Sequence, residues 1–210
     1  MKQISIYLLL IIGFSACKIQ AATEKKYQKC KAIISASNLK LIMSLNEQIL
    51  KTKSYDPAYK ELSYPNGDVA LETGVCADVV VRALRSIHVD LQKEIHEDML
   101  LAFAAYPKQW DLKKPDKNID HRRVLNIMKF LERKNKELPI TALAEEYLPG
   151  DIVAWKLPNN LYHIGMVSDE LNENGIPIII HNIGSGTLKA DVLFNWKIIG
   201  HYRWNNETDY

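Results

Sequence analysis

Apolar residues recur at helical spacing through most of the first half of the chain, which is typical of helices with one buried face. Prolines and the Asn66-Gly67 pair predict a loop over 54–68, and a polar stretch with two prolines predicts another over 106–120. Cys76 precedes Val79 and Val80 at the spacing of an inward helical face. The predicted helices cover 24–53, 76–87, 91–105 and 121–134.

From position 149 onward the pattern changes to that of strands. Short segments rich in β-branched and aromatic residues are separated by Gly, Asn and Pro. These segments are DIVAWKL, LYHIGMVS, IPIIIHNI and IIGHYRW. Helices followed by strands predict an α+β fold, in which N-terminal helices pack on a C-terminal antiparallel β-sheet.

The beginning of the chain has the composition of an export signal, with Lys2, an apolar run over 4–14 and small residues after it. Cleavage after Ala21 would remove 1–21 as a signal peptide and leave 22–210 as a single domain. Alternatively, the segment FSAC is a lipobox, and Cys17 would then be lipidated and anchor the protein to a membrane. Either way we expect the protein to work outside the cytosol, without a membrane span in the mature chain.

Charge and composition argue against two kinds of partner. Lys and Arg total 27 against 25 for Asp and Glu, so the net charge of +2 gives no electrostatic case for nucleic acid. The histidines and acidic residues at 88 and 96–98 lack the spacing of known metal-binding motifs. We therefore expect neither a metal nor an organic cofactor.

Cys76 is the residue with the clearest chemical potential. Thr73 and Gly74 predict a turn and cap just before it, and a thiol in the first turn of a helix faces N–H groups and a dipole that favour the thiolate. This makes Cys76 a candidate nucleophile whose backbone N–H could help to bind an oxyanion. A disulfide with Cys30 is the rival interpretation for an exported protein, and a small core residue is the third.

Two histidines in the predicted strands are candidate partners of the thiol, since a cysteine nucleophile needs a base and a group that orients it. Alternation places His163 on one face of its strand. In the next strand His181 and Asn182 point to opposite faces, so only one of them can face His163. Periodicity leaves that choice open because both faces of the second strand are apolar.

Four segments in chain order, GVC, PGDIVAW, HIGMVS and IIHNIGSG, resemble the NlpC-type cell-wall peptidases, which share the papain-like fold. The resemblance implies a Cys-His-His triad with Cys76 as nucleophile, His163 as base and His181 as the orienting residue. It also implies a tyrosine near the oxyanion and substrate, a position that Tyr64 matches. NlpC-type enzymes usually have Asp-Cys-Ser-Gly at the nucleophile, whereas this chain has VCAD at 75–78, which leaves the specificity pocket open.

A longer set of segments, which includes GVCADVVVRALR, YPKQW, NIDHRRV and GHYRW, resembles a bacterial family of exported proteins of unknown function within the papain-like superfamily. We therefore expect an exported hydrolase of the periplasm or cell envelope that cleaves an amide bond in peptidoglycan stem peptides or another peptide substrate. The alternatives are a non-catalytic cell-envelope binding module, and an amidase or transacylase that acts on a substrate outside the cell wall.

A charged cluster over 120–123 has two interpretations. Asp120 suits the N-cap of a helix, so the cluster would be a solvated helix end. Alternatively, Arg122 and Arg123 bind carboxylates of an acidic peptide, because planar guanidinium groups suit bidentate contacts. The candidate oxyanion-binding or substrate-binding residues are therefore Tyr64, Arg122, Arg123 and Asn182.

Overall fold

A computed structural model describes residues 36–204 of the chain. The helices in this range are α1 (Ala36–Lys51), α2 (Cys76–Arg85), α3 (Leu91–Ala102) and α4 (Val124–Arg133). The first predicted helix therefore lies partly outside the described residues. The proposed export signal, Cys17 and Cys30 lie wholly outside them. None of the described helices is long and apolar enough to cross a membrane.

Five antiparallel strands form the main sheet, which confirms the predicted α+β fold. They are β3 (Ile152–Lys156), β4 (Tyr162–Leu171), β5 (Pro177–Asn182), β6 (Thr187–Ala190) and β7 (Lys197–Tyr202). Their order across the sheet is β6-β5-β4-β3-β7. A separate parallel pair consists of β1 (Ser54–Tyr55) and β2 (Thr73–Gly74), which ends two residues before the cysteine.

Helix α2 lies at the centre of the molecule and is buried on both sides from Cys76 to Leu84. Its apolar face packs on β4, in one core cluster with Ile164 and Met166. The opposite side of the sheet has a second apolar cluster that includes Trp155. A helix buried all round must pair its charged side chains, because an unpaired charge in the interior is costly.

Asp78 makes the central pair of this kind. Its two carboxylate oxygens accept hydrogen bonds from Nε and Nη2 of Arg122, both at 2.9 Å. The two side chains are 4% and 2% exposed. Asp78 also accepts the N–H of Val75 at 2.6 Å, which satisfies a donor at the start of α2. Asp78, and not Thr73, therefore holds the helix terminus that carries Cys76.

The charged cluster over 120–123 is not a solvated helix end, as one interpretation of the sequence had it. Asp120, His121 and Arg122 are buried in a short 3₁₀ turn, and α4 begins only at Val124. The turn packs against α2, α3 and α4, and the Arg122–Asp78 pair draws it inward. The sequence pattern shows the charges but not the partner that allows their burial.

Replacing Arg122 tests how much the buried pair contributes. Arg122→Met leaves the Asp78 carboxylate buried without its partner, and we expect the free energy of unfolding to fall by about 3 to 5 kcal/mol. The matched control is Arg133→Met, which breaks a partly exposed pair with Asp98 and should cost less than about 1 kcal/mol. Urea denaturation measures both values, and equal losses would contradict a special role for the buried pair.

Candidate active site

The thiol of Cys76 is free and buried at the first residue of α2. A disulfide is therefore not its state in this structure. The backbone N–H groups of Ile164, Ala77 and Cys76 itself lie close enough to the sulfur to favour its anionic form. Ile164 follows His163 directly in β4, but the two side chains face opposite sides of the sheet, and within residues 36–204 no hydrogen bond joins Cys76 to His163.

Burial nevertheless raises the pKa of Cys76 to about 11. The carboxylate of Asp78 adds to this increase, and the N–H contacts with Ile164 and Ala77 oppose it without overcoming it. The expectation that the helix terminus would lower the pKa is thus wrong in its sign, because desolvation of the anion outweighs the helix dipole here. At neutral pH the resting site contains a protonated thiol.

His163 and His181 form a direct hydrogen bond, with 2.7 Å between Nε2 of His163 and Nδ1 of His181. The register of β4 and β5 places Gly165 beside His181, and a Cβ atom on Gly165 would come within 3.0 Å of the His181 Cβ. The missing side chain at Gly165 therefore makes the room in which the two imidazole rings meet.

The histidine pair is enclosed by aromatic side chains. The His163 ring lies 5.8 Å from the Trp155 ring and 5.7 Å from the Trp196 ring, which also lies 6.1 Å from His181. Burial lowers the pKa of His163 to about 3, with a further contribution from His181, and lowers the pKa of His181 to about 4. Both rings are therefore neutral at pH 7.

Asn182 does not take part in the histidine pair. Its side-chain amide donates to the backbone carbonyls of Ser54 and Gly74, both at 3.1 Å. The choice between His181 and Asn182 is thus resolved, because His181 contacts His163 while Asn182 fixes the backbone just before Cys76. This is a structural role at the candidate site, and the fully buried amide is not a substrate contact.

A groove of about 380 Å³ opens beside Cys76. Its floor and walls come from the turn around β1, the start of α2, the 106–120 loop, the start of α4 and the start of β4. Gln109 in the loop and Tyr162 in β4 contact one another at 3.5 Å. The lining residues are Tyr55, Pro57, Val75, Cys76, Gln109, Trp110, Ile119, Arg122, Arg123, Val124, Leu125, Asn160, Leu161 and Tyr162.

Tyr55, and not Tyr64, is the tyrosine at the thiol. The Tyr55 hydroxyl lies near the Cys76 thiol, and burial together with the charges of Cys76 and Asp78 raises the pKa of Tyr55 to about 12. Tyr64 instead packs edge-on against His96, with ring centroids 5.4 Å apart. Spacing along the chain could not identify Tyr55, because it is brought to the site by the two-residue pairing of β1 with β2.

The two arginines have different environments. Arg122 uses four of its five N–H donors on Asp78 and on the carbonyls of Asp56 and Ala58, so it has little capacity left for a substrate. The guanidinium of Arg123 lies over the ring of Trp110, 4.4 Å from its centroid, at the wall of the groove. The predicted pair of carboxylate-binding residues is thereby reduced to one candidate.

Comparison with known proteins identifies the family. The model of a family described as "Domain of unknown function (DUF1287)" matches residues 42–204. The chain belongs to the DUF1287 family. It is 54% identical to "Uncharacterized protein YijF" of Escherichia coli (strain K12) over 168 residues, which are 80% of this chain and 82% of that protein. Among solved structures, this DUF1287 chain is similar to NlpC1 from Trichomonas vaginalis, with 13% identity, a TM-score of 0.43, and coverage of 82% of this chain and 46% of that one.

The histidine pair makes this DUF1287 domain sensitive to acid. Each folded-state pKa lies below the ordinary value of 6.5, so the unfolded state binds more protons as the pH falls below about 6.5. The contribution of the two neutral histidines to the free energy of unfolding is fully present above pH 6.5 and decreases as the pH falls toward 4. From about pH 7 to pH 5 we expect a loss of about 1 to 2 kcal/mol for each histidine.

Urea denaturation of the wild type and of the double variant His163→Gln/His181→Gln at the two pH values measures this contribution. Glutamine does not titrate, so the double variant should lose less stability on acidification than the wild type. An equal loss in both proteins would show that the pair is not held neutral by the fold.

Proposed function

We propose that this protein is an exported cysteine hydrolase that cleaves an amide bond, with Cys76 as nucleophile, His163 as base and His181 as the residue that positions the base. The observation that carries the proposal is the placement of a free thiol and a histidine pair beside the same strand, β4. A free thiol contacts the N–H of Ile164, and the neighbouring residue His163 is bonded to His181.

The proposed reaction begins with attack of the Cys76 sulfur on the substrate carbonyl. The thiol proton passes to His163 as the carbon–sulfur bond forms, and the carbonyl oxygen becomes an oxyanion. His163 then gives its proton to the departing amine as the carbon–nitrogen bond breaks, which leaves a thioester. Water attacks the thioester with His163 as base, and the carboxylic acid is released as the thiol regains its proton.

Proton transfer and attack are coupled in this proposal. Burial favours the neutral forms of both Cys76 and His163, so a resting thiolate–imidazolium pair is unfavourable. The base must accept through Nδ1, since Nε2 of His163 is bonded to His181. The transfer also requires the His163 ring and the thiol to be brought together when substrate binds, because the two face opposite sides of β4. This requires the tautomer in which His163 Nε2–H donates to Nδ1 of His181, so His181 selects the reactive form of the base.

Two kinds of donor support binding of the oxyanion. The N–H of Cys76 lies at the open start of α2, where the helix dipole favours negative charge. The Tyr55 hydroxyl lies at the sulfur and lines the same groove. Because its pKa is raised, Tyr55 stays protonated and can donate a hydrogen bond at neutral pH.

Peptidoglycan stem peptides are the substrate class that we propose. The export signal over 1–21 would place the enzyme in the cell envelope, and the open groove beside Cys76 suits a short extended peptide. The steps proposed above need neither a metal nor an organic cofactor. The DUF1287 relatives leave the bond itself open, so the products must be identified directly.

Digestion of purified peptidoglycan tests the proposed hydrolase. The protein, purified after export, should release peptide fragments that mass spectrometry identifies, and Cys76→Ala should release none because the nucleophile is missing. Indistinguishable digests would contradict the proposal. Retention of both proteins on insoluble peptidoglycan would then favour a non-catalytic binding module.

A matched pair of tyrosine variants tests the oxyanion role. Tyr55→Phe removes a hydroxyl at the thiol and should lower kcat by at least about tenfold, with a smaller effect on KM, since the contact would be made in the transition state. Tyr64→Phe makes the same chemical change away from the groove and should leave kcat within about twofold of the wild type. Equal effects of the two variants on kcat would remove Tyr55 from the mechanism.

A further inference from the structure

The groove beside Cys76 is lined asymmetrically in charge. Two arginines, Arg122 and Arg123, line it, whereas its lining residues within 36–204 include neither Asp nor Glu. The other polar lining groups are amides and tyrosine hydroxyls, such as Gln109 and Tyr162. A ligand group in the groove therefore meets cationic and neutral donors, and the field there depends on how far each arginine is already neutralised.

Arg122 contributes little net charge. Its guanidinium makes two hydrogen bonds of 2.9 Å to the Asp78 carboxylate, and two further N–H groups reach backbone carbonyls at 3.3 Å. A bidentate contact of this kind occupies the edge of the guanidinium that would otherwise bind a carboxylate. The pair is close to neutral as a unit.

Arg123 is only weakly neutralised. Within residues 36–204 its hydrogen bonds consist of one contact of 3.3 Å, from Nη1 to Asp120. The Asp120 carboxylate is shared, because it also accepts the backbone N–H of Asp116 and faces the amide of Asn126. Arg123 therefore keeps most of its side-chain donors for a ligand in the groove, while Asp120 and Asp116 offset part of its charge.

Trp110 holds this guanidinium in place. The guanidinium carbon of Arg123 lies over the indole of Trp110, 4.4 Å from the ring centroid. Stacking fixes the plane of a guanidinium while leaving its N–H groups free at the edges. An oriented and under-neutralised guanidinium at the wall of a groove is the arrangement that binds carboxylates with two parallel hydrogen bonds.

We propose that Arg123 is the specificity-determining residue of the groove and selects substrates with a carboxylate beside the scissile amide. This inference rests on the proposed hydrolase function, because it takes Cys76 as the reacting centre of the same groove. It defines the substrate class as an acidic peptide, and it assigns Trp110 as the residue that positions Arg123.

The test uses two small alkylating reagents of nearly equal shape, iodoacetate and iodoacetamide. In both reactions the Cys76 sulfur displaces iodide and forms a thioether, but only iodoacetate carries a carboxylate. Mass spectrometry of the peptide that contains Cys76 gives the rate of each reaction separately from the other cysteines. The measured quantity is the ratio of the iodoacetate rate to the iodoacetamide rate.

The proposal predicts that Arg123→Gln lowers this ratio by about fivefold, the effect of removing one charge at short range in a partly buried groove. Arg123→Lys keeps the charge but not the planar guanidinium, so its ratio should lie between those of the wild type and Arg123→Gln. The matched control is Arg133→Gln, which makes the same change at the other end of α4. About 15 Å of helix separates the two positions, more than the screening length at physiological salt, so the control should keep the wild-type ratio.

Salt gives a second measurement that needs no variant. At about 1 M salt the screening length falls to about 3 Å, so the wild-type ratio should approach that of Arg123→Gln. Equal ratios in the wild type and Arg123→Gln, or failure of either reagent to label Cys76, would overturn the proposal. Alkylation needs no turnover, so a preserved charge preference together with no peptidoglycan digestion would contradict the hydrolase and not the anion preference of Arg123.

Discussion

The buried ion pair between Asp78 and Arg122 fixes the candidate nucleophile in space. Asp78 caps the N–H of Val75 and thereby holds the start of α2, while Arg122 reaches across to the carbonyls of Asp56 and Ala58. The pair thus connects the helix terminus with the segment that follows Tyr55. Since neither charge could be buried alone, the helix start, the tyrosine segment and the 3₁₀ turn are constrained to one arrangement.

This constraint has an electrostatic consequence for the thiol. A carboxylate close to Cys76 disfavours the thiolate, and so does burial, whereas the N–H groups around the sulfur favour it. Burial is the largest contribution, so the structure stabilises a protonated thiol beside a neutral histidine pair. A site of this kind holds little thiolate at rest, and the proposed hydrolysis depends on a substrate carbonyl placed where the proton transfer and the attack can occur together.

The parts of the fold that the sequence predicts are those that depend on local periodicity. Alternation and helical spacing predicted the α+β class, the inward face of Cys76 and the strands that carry His163 and His181. The pairing of residues far apart in the chain leaves no periodic signal, so contacts of this kind could not be predicted from the sequence. The Asp78–Arg122 contact spans 44 positions and β1 pairs with β2 through two residues only, so neither the buried turn nor the position of Tyr55 could be foreseen.

The register of β4 sets which of its side chains face the thiol and which face the tryptophans. Successive side chains of a strand point to opposite faces, and here His163 faces the tryptophan side while Ile164 faces the core that contains Cys76. A slip of one residue would reverse both and bury the imidazole among the helices. Gly165 opposes such a slip, because a Cβ atom there would lie only 3.0 Å from the His181 Cβ. The packing of the histidine pair therefore depends on a glycine that carries no functional group.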